Sequence, residues 1–158
     1  MQVSSTEQVV LSANGEAAKL FQLISTDSGV VRLSDPDRTQ WYVHPRSHYM
    51  YLYVDPEELY ATNLPVFQSE SSFILHPDTF YPGYHAFESI NFPNYYIKSD
   101  YYYGRLWIEQ RRGSEDVTYN QSASFKLSGL DTSCKYSVND FCILSDDWQI
   151  KVNIWVRA

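Results

Sequence analysis

The chain has 158 residues, 44% of them hydrophobic, which is enough for one domain to bury its own core without a disulfide framework. Its 19 acids against 12 bases give a net charge of −7, and its largest Lys/Arg cluster is Arg111-Arg112. A nucleic-acid partner is therefore excluded, because displacing counterions from a polyanion needs a basic face. No apolar run is long enough to cross a bilayer as a helix, so membrane insertion is not expected.

Met1 is followed by a polar stretch, Gln2 to Gln8, which leaves open a cytosolic chain or one whose leader has been removed. The next segment, AAKLFQLIS around Phe21, resembles two later ones, SSFILHP around Phe73 and ASFKLS around Phe125. Between them run three longer stretches of similar course. They are VRLSDPDRTQWYVHPRSHYMYLYV from Val31, FESINFPNYYIKSDYYYGRLWIEQ from Phe87 and KYSVNDFCILSDDWQIKVNIWV from Lys135, the first with a slightly longer first turn. The third copy lacks its closing segment, and the N-terminal piece can supply it. Three units of roughly 50 residues, closed by pairing the termini, predict a pseudo-threefold β structure. They cover about 31-77, 87-128, and 135-158 with 9-25 in one domain over 1-158.

The elements read as strands almost throughout. Met50, Leu52 and Val54 alternate with Tyr49, Tyr51 and Tyr53, and Trp148, Ile150, Val152, Ile154 and Val156 alternate with more polar neighbours. Asp35-Pro36-Asp37, Phe92-Pro93-Asn94 and Asn139-Asp140 fall at matching places and read as hairpin turns. One helical signal stands at Asp55 as a cap, with Pro56 in the first helical position and Glu57-Glu58 in the first turn, which predicts a turn or two and not a packed helix.

Phe87-Glu88-Ser89-Ile90-Asn91-Phe92-Pro93-Asn94-Tyr95-Tyr96-Ile97, with Ala123-Ser124-Phe125 downstream, resembles the repeat of carbohydrate-binding module family 42. Those are the arabinose-binding domains of the α-L-arabinofuranosidase B type, whose repeat reads Phe-x-Ser-x-Asn-(Phe/Tyr)-Pro-x-x-Tyr-Leu-Arg-His, followed later by Asp-Ala-Thr-Phe. The resemblance is clearest in the middle copy and looser in the others. It implies a β-trefoil with Phe21, Phe73 and Phe125 as equivalent core rings. It also implies sugar pockets held by the His of the triplet and the Asp before Ala-Thr-Phe. Here Pro45, Ser99 and Ser145 stand at the His position, and Glu70, Ser122 and Ala18 at the Asp position. Only Glu70 keeps an acid, so arabinofuranose itself is not the expected ligand.

The candidate binding residues are therefore drawn from the connections. Asp100, Tyr101, Tyr102, Tyr103 and Arg105, with Trp107 just beyond, offer adjacent rings that cannot all face inward from a strand, so at least one is exposed as a platform for a sugar or a protein hot spot. The alternative is that these rings cover the end of a barrel. His44 takes the equivalent place in the first copy, with Arg46, His48 and Tyr49. His44 and His48 have the spacing of a helical metal pair, but Pro45 between them removes that geometry, and two surface histidines on a loop are expected instead. His76 and His85 flank the linker Pro77 to Gly83 and read as structural.

The acid pairs Asp35/Asp37, Glu57/Glu58, Glu115/Asp116 and Asp146/Asp147 sit in turns. No phosphate loop, nucleophile elbow or zinc signature is present, so neither enzymatic activity nor a cofactor is expected. Cys134 and Cys142 flank one hairpin. A two-residue turn would set Ser137 opposite Cys142 and prevent a bridge, whereas a three-residue turn would allow one. The triplet Asn120-Gln121-Ser122, in an expected turn, is a glycosylation acceptor sequence and points to an extracellular setting. The expected function is a non-catalytic recognition domain for a glycan. The competing reading is a protein-binding or adhesion domain on a trefoil whose sugar pockets have decayed.

Overall fold

A computed structural model of the chain describes residues 21–35, 37–46, 50–99, 106–113 and 116–125, and the backbone of 136–138 and 141–143. The architecture is all-β and antiparallel. Its strands are β1 (Gln22–Asp27), β2 (Val30–Ser34), β3 (Trp41–Pro45), β4 (Leu52–Pro56), β5 (Ser72–Pro77), β6 (His85–Ser89), β7 (Tyr95–Ser99) and β8 (Leu106–Gln110). They pair in the order β4-β3-β2-β5-β6-β7-β8, with β1 also paired to β2. A separate hairpin joins β9 (Tyr136–Val138) to β10 (Phe141–Ile143). Two short helices, α1 (Leu64–Glu70) and α2 (Val117–Ser122), interrupt the strands.

Two copies of the repeat match pair for pair. In the first, Tyr42 faces Asp55, Val43 faces Val54 and His44 faces Tyr53; in the second, Tyr96 faces Glu109, Ile97 faces Ile108 and Lys98 faces Trp107. Ser34 opposite Tyr42 corresponds to Glu88 opposite Tyr96, so the first turn is no longer than the second, correcting the expectation from sequence. Each turn ends on a residue in the left-handed region, Gln40 at φ 63° and Asn94 at φ 68°. Each is also tied at its start, where Asp35 Oδ1 accepts from the Asp37 amide and Ser89 Oγ from the Phe92 amide. The copies are joined where the Ile108 amide donates to the Met50 carbonyl, beside the Tyr51–Trp107 bridge.

Strand alternation sends one face of each copy inward. Val43, Leu52, Val54, Ile97, Leu106 and Ile108 are all buried in one core with Phe21, Phe73 and Phe125, as the repeat predicts. The opposite face carries Tyr42, His44, Tyr53 and Asp55 in the first copy and Tyr96, Lys98, Trp107 and Glu109 in the second.

Three local expectations are corrected. Asp55 belongs to β4 and caps nothing: Pro56 is extended at ψ 139°, and a 3-10 helix over Glu57–Asn63 runs on into α1, whose Phe67 is wholly buried. The helical segment is thus packed, because Pro65 at its start and Phe67 on its inner side give it an initiation site and an apolar anchor. Asn120 and its triplet lie in α2, not a turn; Asp116 caps that helix by accepting from the Tyr119 amide at 3.0 Å. Val138 pairs with Phe141 and Ser137 with Cys142, the register of the two-residue turn, while Cys134 lies outside the described residues.

Candidate functional site

The outer face of β3 and β4 builds a buried polar cluster. His44 and Asp55 share that face, and His44 Nε2 stands 2.7 Å from Asp55 Oδ2. Arg46, just past β3, donates to the same carboxylate from Nη2 at 2.7 Å and Nε at 3.0 Å, and its guanidinium also covers the Tyr53 ring at 4.3 Å. The 3-10 helix turns Tyr60 back so that its hydroxyl donates to Asp55 Oδ2 at 3.0 Å. Phe67 of α1 closes the floor, stacked on Tyr60 at 4.3 Å and edge-on to His44 at 4.9 Å.

Asp55 is 1% exposed, and burial alone would push its carboxyl up. The hydrogen bonds and charges of His44 and Arg46 together outweigh that and hold it down at about 2. Burial, then the Asp55 charge and hydrogen bond, pushes the Tyr60 phenol up to about 12, which keeps it a donor. Arg46 is pushed up by its bond to Asp55. Asp55 is therefore a fixed anion that orients its neighbours.

At the other edge of the His44 ring the chemistry is incomplete. Nδ1 is buried with no hydrogen-bond partner, and Glu70 Oε2, at the last residue of α1, stands 3.9 Å away, beyond hydrogen-bond reach. The Glu70 side chain is 28% exposed against 2% for His44, so it forms the outer wall of the pocket.

The second copy fills the matching space from within. Lys98 Nζ, in the place of His44, bonds Glu109 Oε2 at 2.8 Å and lies over the rings of Trp107 and Tyr119. Phe80 packs against both Tyr96 and Tyr119, and the Tyr119 hydroxyl donates to the Glu109 carbonyl at 2.6 Å. In the first copy Arg32 takes the corresponding position over Tyr42, with its charge met by Glu57 at 3.2 Å and Ser71 at 2.9 Å.

Of the residues chosen from sequence, the structure brings together His44 and Glu70. His44 is 1% exposed in β3, so the surface-loop reading is wrong: the period of two places its ring over the α1 segment. Trp107 is in β8, half-buried, edge-on to Tyr51 at 6.1 Å, and part of the junction between copies. Asp100, Tyr101, Tyr102, Tyr103 and Arg105 lie outside the described residues. His76 bonds Glu88 at 2.7 Å, and the His85 backbone pairs with Phe125, in keeping with structural roles. Sequence reasoning missed Asp55 and Tyr60, which it had assigned to a helix start. The signal was available in the copies themselves, since aligning His44 with Lys98 sets Asp55 against Glu109, a basic-acidic pair in each.

Among the described residues no helix is long and apolar enough to cross a membrane, and no group of three or more His, Cys, Asp or Glu could hold a metal ion. No family model and no curated protein matches the chain. Among solved structures it is similar to a point mutant of a GH54 α-L-arabinofuranosidase soaked with 4-nitrophenyl α-L-arabinofuranoside. It is similar also to a GH54 α-L-arabinofuranosidase soaked with a cyclic sulfate inhibitor. Each match has 15% identity and a TM-score of 0.46, covering 74% of this chain and 21% of the other. The chain therefore spans about a fifth of those structures, and a likeness of that size carries no argument about fold or activity.

Proposed function

We propose that the chain is a non-catalytic carbohydrate-recognition domain with a β-trefoil fold, and that its ligand binds in the pocket of the first copy. The trefoil is supported by two copies with matching registers, by the third copy in the sequence with its hairpin at Asn139-Asp140, and by Phe21, Phe73 and Phe125 in one core. The observation that carries the binding site is the bare Nδ1 of buried His44 beside Glu70. A buried polar atom without a partner costs stability, and a ligand hydrogen bond would recover it. Glu70 also keeps the acid that the sequence resemblance associates with sugar binding, and His44 stands one position before the expected histidine.

A non-catalytic role fits the carboxylates. Asp55 is buried and engaged by three side chains, so it is not available to reach a glycosidic bond, and Glu70 then lacks the second carboxyl that hydrolysis requires. An extracellular setting goes with this reading, supported by the Asn120-Gln121-Ser122 triplet alone.

Protein binding is the second reading, favoured by Leu59 and Val66, which are 52% and 44% exposed on the helical segment beside the pocket. A glycan array probed with the protein and with Glu70→Ala decides between them. A specific signal that disappears in the variant is expected. A folded protein that is silent on the array contradicts the carbohydrate reading and leaves the apolar surface as the interface.

A further inference from the structure

The first-copy pocket has a donor deficit that narrows the ligand. Asp55 faces Nε2 of His44 at 2.7 Å, and a carboxylate only accepts, so Nε2 carries the hydrogen of the neutral ring and Nδ1 keeps its lone pair. Glu70 Oε2, at 3.9 Å, is a second acceptor, and no hydrogen bond to Glu70 is made among the described residues. Two acceptors at that separation are bridged by one atom carrying at least two N–H hydrogens, placed about 2.9 Å from each. A single hydroxyl has one hydrogen and satisfies one of them. The charge is of the same sense: Asp55, Glu57 and Glu70 face only Arg32 and Arg46, and both guanidiniums are already bonded to Glu57 or Asp55.

We propose that this pocket selects a sugar bearing a free primary amine, whose ammonium donates to His44 Nδ1 and Glu70 together. The inference rests on the carbohydrate reading above and adds the chemical class. Glu70, as the more exposed wall, is met first, and turning it aside uncovers Nδ1. Lys98 supports the chemistry from inside the protein: in the second copy an ammonium occupies the corresponding place, bonded to a carboxylate and lying over two rings.

The test is titration calorimetry of the full chain with a glucosamine trisaccharide, its N-acetylated counterpart and a neutral arabinoxylan trisaccharide, each repeated with Glu70→Gln. A charge-assisted hydrogen bond makes the expected preference for the free amine over the acetylated sugar about tenfold. Glu70→Gln, with its melting temperature unchanged, should erase that preference. Equal affinity for the free and acetylated sugars, or binding of the neutral sugar alone, overturns the amine proposal and leaves the carbohydrate reading standing. A preference that survives in Glu70→Gln is the general attraction of an acidic protein for a cation and also overturns it. No binding of any of the three sugars, nor of a wider glycan panel, overturns both.

Discussion

His44 shows how two neighbours can give one side chain two different edges. Asp55 fixes Nε2, Glu70 stops short of Nδ1, and the ring is held between Tyr60 and Phe67. The anchor of this arrangement is Asp55. Its carboxyl is held below the usual range, so its contribution is complete above about pH 4 and is lost as pH falls through about 2. Urea unfolding followed over that window should show a loss of about 2 kcal/mol assignable to Asp55, absent from Asp55→Asn. At neutral pH the same variant should lose about 3 kcal/mol, because it leaves Arg46 and His44 facing a group without charge. An unchanged acid limb in Asp55→Asn would show that other carboxylates set it.

At the scale of elements, the two β-hairpins carry the same register and opposite energetics. Lys98–Glu109 is partly solvated, with side chains 15% and 44% exposed, so Lys98→Met should cost less than about 1 kcal/mol in chemical denaturation. A Lys98→Met loss as large as that of Asp55→Asn would mean that the second pair is no less essential than the first. The α1 segment is expected to behave otherwise. Phe67 is wholly buried, so Phe67→Ala should cost about 3 to 5 kcal/mol and weaken ligand binding by freeing Tyr60 and Glu70. Binding unaffected by Phe67→Ala would separate α1 from the site.

These elements also mark what the sequence could tell. The alternation around Leu52 and Val54 and the recurring turn residues were legible because period and punctuation are local properties. The role of Asp55 was not. An Asp-Pro before two glutamates has the same pattern whether it starts a helix or ends a strand, and only the partners on β3 decide. His44 was legible as a candidate but not as buried, because Pro45 and Arg46 beside it suggest a loop, while the α1 segment that covers it lies some twenty residues away in sequence.

For the whole molecule, the repeat makes a core from equivalent positions and leaves each copy free to diverge on its outer face. Phe73 and Phe125 are 0% and 1% exposed, and either one replaced by Ala should cost about 3 to 5 kcal/mol, read by calorimetry, whatever the ligand. The outer faces have taken different courses. The second is closed by Lys98 and Phe80, and the first keeps a buried acceptor and an exposed acid without a donor. One site per chain follows from that asymmetry. The direct measurement is a backbone-amide NMR titration with the strongest glycan from the array. Shifts concentrated on His44, Tyr60 and Glu70, saturating at one ligand per chain while Lys98 and Glu109 stay still, are expected. Shifts centred on Lys98, Glu109 and Trp107 instead, or a stoichiometry above one, would contradict the assignment of the site to the first copy.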